Sequence, residues 1–118
     1  MSPGSTLPPK KLNPPRNPGK ELEEVDIVFK ALAHPARRHM LLVLHFRGGE
    51  MSSRDIARRF ACTWPTTTRH LGVLRQAGLV RVFRRGRERF YALASERLLK
   101  IVGDWINWFS EKPLVNPG

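Results

Sequence analysis

The sequence has one cysteine, Cys62, and only ten acidic residues against 21 lysines and arginines. A single cysteine excludes a disulfide within the chain and a zinc site built from several cysteines. No apolar run approaches the roughly 20 residues that cross a bilayer. The N-terminal segment also lacks the apolar core of a signal peptide. We therefore expect a cytoplasmic protein with no membrane partner.

The sequence also lacks the patterns typical of an enzyme. It has no activated nucleophile, no paired carboxylates and no glycine-rich phosphate loop. What it has is positive charge, +11 over 118 residues. Ten arginines and two acidic residues fall between Ser52 and Ala94. Such a concentration indicates a polyanionic partner, and double-stranded DNA is the one that we expect.

Proline content divides the chain into a tail and one domain. Residues 1–19 hold six of the ten prolines and no acid, which predicts a disordered basic tail. The alternative is a basic arm that adds attraction to phosphate. Residues 20–112 are predicted to form one DNA-binding and dimerisation domain.

Apolar periodicity and helix-breaking residues predict five helices and one hairpin in this domain. The predicted helices cover 21–33, 35–47, 52–60, 64–77 and 95–110, and the strands cover 79–85 and 88–93. The second helix is expected to be the core helix, with Phe46 among its buried residues. The fold class is mainly α with a small β-hairpin: a winged helix-turn-helix.

The predicted DNA-binding residues lie in the fourth helix and in the hairpin. The fourth helix has an inward face of Thr67, Leu71 and Leu74. Arg69 on the other side can bind guanine through two hydrogen bonds. The hairpin arginines are expected along the backbone or in the adjacent minor groove. The full predicted set is Thr63, Trp64, Thr66, Thr67, Arg69, His70, Arg84, Arg85, Arg87 and Arg89.

Four segments of the sequence resemble the ArsR/SmtB family of bacterial and archaeal repressors. They are KALAHPARRHMLLVL at 30–44, DIARRF at 55–60, TWPTTTRHLGVLRQAGLV at 63–80 and RRGRERFYAL at 84–93. The resemblance implies a homodimer that binds a partly palindromic operator and represses. A non-specific architectural or RNA-associated winged-helix protein is the alternative function.

The sensing residues of the family are absent from their usual places. Many relatives bind metal through Cys-x-Cys at the start of the third helix, where this chain has Ser52 and Arg54. Neither binds a soft metal ion. Others use Asp and His ligands on the last helix, which here has Asp104 and Glu111 but no histidine. We therefore expect no metal site and no cofactor.

Two further features each allow two interpretations. Cys62 is either a small buried apolar residue or, beside cations and a helix N-terminus, a redox-sensitive thiol. An aromatic patch on the last helix, formed by Trp105, Trp108 and Phe109, is either a sensing pocket or a dimer interface. We favour the interface, in which the last helix packs with Leu22, Val25 and Phe29 of the first helix.

Overall fold

The computed structural model describes residues 18–110, so most of the predicted tail and the last eight residues lie outside it. Over that range the chain forms five α-helices and a small three-stranded sheet, and a short 3-10 turn follows the last helix. The helices are α1 (Pro18–Leu32), α2 (Pro35–Phe46), α3 (Ser53–Arg59), α4 (Trp64–Gln76) and α5 (Ser95–Asn107), with the 3-10 turn at Trp108–Ser110. The strands are β1 (Glu50–Ser52), β2 (Val80–Arg85) and β3 (Glu88–Leu93).

The sheet is antiparallel and has the order β1-β3-β2. Tyr91 at its centre lies opposite Val82 on β2 and Met51 on β1. The predicted hairpin is therefore present, and the fold class is confirmed. The third strand, β1, was not predicted, because three residues are too few to show an alternating pattern.

The core lies where α2 and α4 meet the sheet. Met40 and Leu44 of α2, Ile56 of α3, and Leu71 and Leu74 of α4 are almost completely buried there. Burial of such side chains stabilises the fold by about 1.5–3 kcal/mol each. The core thus fixes α4 against both α2 and the hairpin.

Local signals in the sequence explain the helix ends. The side chains of His34, Ser52 and Thr63 each accept a hydrogen bond from a backbone N–H in the first turn of the helix that follows, and so cap α2, α3 and α4. After α4, Gly78 adopts a φ of 78° and turns the chain into β2. Glycine favours this left-handed conformation because it has no Cβ.

Two expectations about the helices were wrong. The first helix begins at Pro18, so two residues assigned to the tail are helical; proline is well tolerated in a first turn. Phe46 was expected in the core but is 77% exposed, because α2 buries only one face. Between residues 18 and 110 no helix is both long and apolar enough to cross a membrane.

Candidate nucleic-acid interface

The second helix of the helix-turn-helix, α4, is held by its cap and by its apolar face. Thr63 Oγ1 accepts from the Thr66 N–H at 3.3 Å and donates to Thr66 Oγ1 at 3.1 Å. Leu71 and Leu74 bury the inward face. Trp64, in the first turn, remains 40% exposed beside the hairpin. The N-terminus of α4 is thereby presented at the surface, and its positive dipole end is favourable for a phosphate although the Thr66 N–H is already bonded to the cap.

The structure removes Thr67 and His70 from the surface that DNA could contact. Thr67 is completely buried, and His70 is 8% exposed. His70 packs against His34, with 4.4 Å between the ring centroids, and its Nδ1 lies 3.2 Å from Arg37. The assignment of these two residues to DNA contact was therefore wrong, because α2 covers this side of α4.

Burial also affects the ionisation of His70. Desolvation, followed by the nearby His34, Arg37 and Arg69, lowers the pKa of His70 below its usual value of 6.5. The ring is therefore favoured in its neutral form near neutral pH. A neutral, buried ring is poorly suited to the DNA contact predicted for it.

The exposed side of α4 runs from Arg69 toward the hairpin. Thr68, Arg69, Gly72 and Arg75 are exposed, whereas Thr66 on the opposite flank is half-buried and bonded to Thr63. The residues available to base edges are thus displaced toward the hairpin relative to the prediction. Arg69 keeps its predicted place on the accessible side.

A groove of about 340 Å³ separates α4 from the hairpin. Thr68, Gly72 and Arg75 line one side of it, and Arg84 and Arg89 line the other. A second groove of about 330 Å³ continues from the same two hairpin arginines to Arg54, Trp64 and Arg87. We call the two together the arginine groove. Within residues 18–110 none of its five arginines forms an ion pair.

The hairpin arginines do not all share one environment. Arg84 and Arg89 lie opposite each other in the strand register and face the groove. Arg85, on the other face of β2, forms an ion pair with Glu50 at 2.8 Å. Its guanidinium also lies 4.5 Å from the ring centre of Phe90. Arg85 is therefore engaged with the sheet while its side chain stays exposed, and this engagement competes with its predicted contact to DNA.

Sequence reasoning missed Arg54, Thr68 and Arg75 as groove residues. For Arg75 and Thr68 the sequence did contain a signal, because the helical period places both on one flank with Gly72, outside the inward face of α4. Arg54 was considered only as a position that lacks a metal ligand. Its place beside the hairpin depends on how α3 packs against the sheet, which no local pattern shows.

The predicted aromatic patch forms a second surface, between α1 and α5. The Trp105 ring contacts Phe29 and Phe109 edge-to-face, with centroid distances of 5.0 Å in both pairs. Leu22, Trp108 and Phe109 are each more than half exposed. A cavity of about 460 Å³ opens between the two helices and includes Val25 in its lining. Large apolar side chains that are clustered and exposed in this way mark an interaction site.

The remaining candidate sites are Cys62 and the positions at which relatives carry metal ligands. Cys62 is exposed in the turn before α4, so its interpretation as a buried apolar residue was wrong. In the described part of the chain, no three His, Cys, Asp or Glu side chains come together as a metal ion would require. Ser52 is used as a helix cap, and Arg54 lines the groove.

Comparison with known proteins agrees with this geometry. A family model described as "Helix-turn-helix domain" matches residues 32–82. The chain is 37% identical over 81 residues to the transcriptional repressor SdpR of Bacillus subtilis, covering 69% of this chain and 83% of that protein. It is 36% identical over 83 residues to the biofilm growth-associated repressor of Agrobacterium fabrum, covering 70% and 69% of the two chains.

Two solved structures match with a TM-score of 0.63. One is the crystal structure of an ArsR family transcriptional regulator, 28% identical, covering 82% of this chain and 98% of that chain. The other is the solution structure of a homodimeric winged helix-turn-helix DNA-binding domain from Mycobacterium bovis, described as a possible ArsR-family regulator. It is 25% identical, with 85% and 92% of the two chains covered. The chain therefore belongs to the ArsR/SmtB family of winged helix-turn-helix transcriptional regulators, which are DNA-binding proteins and not enzymes.

Proposed function

We propose that this protein is a dimeric, metal-independent repressor that binds a partly palindromic operator through α4 and the hairpin. The observation that carries the proposal is the arginine groove. Its five arginines have no ion-pair partner within the described residues and line the space between the hairpin, α3 and the exposed flank of α4. Phosphate groups are the ligands that such a row of guanidinium groups binds best.

Within this interface we assign different roles to α4 and the hairpin. Thr68, Arg69 and Arg75 are exposed on α4 and are proposed to reach base edges in the major groove. Arg84, Arg87 and Arg89 are proposed to hold the backbone or enter the minor groove. The two named repressors among the relatives support the direction of regulation.

We assign the α1–α5 surface to dimerisation. Its exposed aromatic side chains, Trp105, Trp108 and Phe109, are typical anchors of a protein interface. The Mycobacterium bovis neighbour is described as homodimeric. A two-fold axis through this surface would present two copies of α4 to successive major grooves, about 34 Å apart. A partly palindromic operator is the DNA counterpart of that symmetry.

Binding to DNA from upstream of the protein's own gene tests the proposal. Fluorescence anisotropy would compare that duplex with a scrambled duplex of the same composition, and sedimentation would count two chains per duplex. Arg69→Ala should reduce affinity for the upstream duplex about 5- to 150-fold, the equivalent of one lost bidentate base contact. Arg81→Ala is the matched control, because Arg81 pairs with Glu96 away from the groove.

Equal affinity of the wild-type protein for both duplexes at physiological salt would contradict sequence-specific repression. It would favour the non-specific architectural function instead. Metal independence has its own measurement: affinity for the upstream duplex should be the same with a chelator and with added Zn²⁺. A change of tenfold or so on adding the metal would refute that part of the proposal.

A further inference from the structure

Two histidines and an arginine meet where the N-terminus of α2 contacts α4. His34 precedes α2, Arg37 lies in its first turn, and His70 lies on α4 directly after Arg69. The rings of His34 and His70 are 4.4 Å apart, and an Arg37 amino group lies 3.2 Å from His70 Nδ1. We call these three residues the histidine seam. It connects the core helix to the helix proposed to contact bases.

The position of Arg37 determines the protonation state that the seam requires of His70. Arg37 Nε donates to the Ala31 carbonyl at 2.7 Å, and its second amino group donates to the Lys30 carbonyl at 3.1 Å. The guanidinium is thereby held at the end of α1. Since arginine has no acceptor, its contact with His70 exists only if Nδ1 accepts. His70 must then be neutral, with its proton on Nε2.

His34 uses its ring in the same way. Its Nδ1 accepts a hydrogen bond from the Ala36 N–H at 3.2 Å and caps α2. A proton on that nitrogen would remove the cap acceptor and add a positive charge beside His70. Both rings therefore fulfil their structural roles only while Nδ1 carries no proton.

Among the residues that the structure describes, no negative charge acts on His70 to compensate a proton there. Burial has the largest effect on its pKa, and the charged or titratable groups that act on it are His34 before α2, Arg37 of α2 and Arg69 of α4. All four influences lower the pKa of His70. A protonated ring at this position would be buried among cations, which is costly.

Resting on the function proposed above, we propose that the histidine seam is an acid-sensitive switch that weakens operator binding when His70 is protonated. On protonation the His70 ring loses its bond with Arg37 and leaves the seam for water. The placement of α4 is then no longer fixed by α2 on this side. Arg69, the next residue in the chain, loses its fixed position relative to the hairpin.

The direction of the effect follows from proton linkage. The pKa of His70 in the seam lies below 6.5, so the released state binds protons more readily than the seam does. Release is therefore favoured increasingly as pH falls from about 6.5, and the intact seam is favoured above that. Protonation of a histidine near phosphate would have the opposite effect, because added positive charge strengthens DNA binding. A loss of operator affinity at low pH therefore distinguishes the proposed switch from a direct contact between a histidine and a phosphate.

The variant that tests the switch is His70→Asn. Asparagine offers an acceptor oxygen near the place of Nδ1 and does not titrate. Affinity for the upstream duplex would be measured from about pH 7.5 to about pH 5.5. The wild-type protein should lose affinity, up to about tenfold for each unit by which the seam lowers the pKa of His70. The variant should lose less affinity than the wild type over the same range, because the contribution of His70 is absent. His45→Asn, an exposed ring on α2, is the control and should keep the wild-type response.

Two measurements without DNA separate this inference from the proposed function. Nitrogen NMR of the His70 ring should show the proton on Nε2 and a pKa below 6.5. The free energy of unfolding should fall on acidification more in the wild type than in His70→Asn. If that variant does not fold, Arg37→Gln replaces it and should raise the pKa of His70 and reduce the acid effect. A His70 pKa at or above 6.5, or an unchanged acid response in the variant, overturns the switch.

If no duplex is bound at any pH, the proposed function fails and the coupling to DNA fails with it. The NMR and unfolding data would still decide whether the seam responds to acid.

Discussion

The clearest test of the arginine groove compares two neighbouring residues of the hairpin, Arg89 and Arg85. Each is exposed and each loses one positive charge on substitution by alanine. Arg89 faces the groove and has no ion pair within residues 18–110, whereas Arg85 pairs with Glu50 at 2.8 Å. We therefore expect Arg89→Ala to remove a phosphate contact and Arg85→Ala to remove none. If DNA affinity depended only on the total charge, the two substitutions would reduce it equally.

The expected magnitude comes from the release of counterions. Each phosphate contact contributes about 0.9 to the slope of log affinity against log salt concentration. Arg89→Ala should reduce that slope by about 0.9. Between about 50 and 200 mM salt, the factor by which its affinity falls would then be about 3.5 times smaller than the factor for the wild type. Arg85→Ala should leave the slope unchanged and lower the free energy of unfolding by up to about 1 kcal/mol, because it loses an exposed ion pair and a ring contact.

Anisotropy with a labelled duplex over a salt series measures both slopes. Glu50→Gln completes the set, because it frees Arg85 without removing a cation and should not lower the slope. An equal reduction in slope for Arg85→Ala and Arg89→Ala would refute the division of the hairpin into a groove face and a sheet face.

Three further predictions concern stability and assembly. The buried Thr67 hydroxyl has no hydrogen-bond partner among the described residues. Thr67→Val should therefore raise the free energy of unfolding by about 1 kcal/mol and the melting temperature by about 4–8 °C. A lower melting temperature by calorimetry would contradict this. Trp105→Ser should weaken the proposed dimer in sedimentation. Phe46→Ser, at an exposed site outside the α1–α5 surface, should not. Equal dissociation of the two variants would refute the assignment of the α1–α5 surface to dimerisation. Gly78→Ala should cost about 1–2 kcal/mol in urea unfolding, because φ is 78° and the new Cβ meets an arginine side chain of α5. Gly103→Ala, in the open on α5, should instead be neutral or stabilising.

The parts of the fold that depend on local chemistry could be predicted from the sequence. Thr63 caps α4, Gly78 ends it, and His34-Pro35 separates α1 from α2, because each acts on the backbone within a few residues. By contrast, β1 exists because Glu50–Ser52 pairs with a strand some 40 residues later in the chain. Three residues carry no pattern that would show this pairing.

The candidate site was predicted in outline, but its residues depend on tertiary packing. Periodicity places Thr66, Thr68 and Arg69 outside the apolar face of α4, and it cannot say which flank a neighbouring helix covers. The structure half-buries Thr66 and leaves Thr68 open beside the hairpin. For Arg85 a local signal did exist. Strand alternation places it on the same face as Phe83, away from Arg84.

The same distinction applies to the basic charge as a whole. Several arginines of this chain bond to backbone carbonyls at helix ends: Arg37 and Arg38 at the end of α1, and Arg97 at the end of α4, where its Nε donates to the Ala77 carbonyl at 3.0 Å. Carbonyls at a helix C-terminus lack intrahelical partners, and a cation there is favourable. These arginines hold the helices of the DNA-binding unit in place. Their positive charges should therefore not be counted as contacts to phosphate. Lysine would preserve the net charge at these sites, but it lacks the planar fork through which Arg37 donates to the Ala31 and Lys30 carbonyls at once. Replacing them with lysine should therefore loosen the unit that presents the groove, even though the overall charge is unchanged.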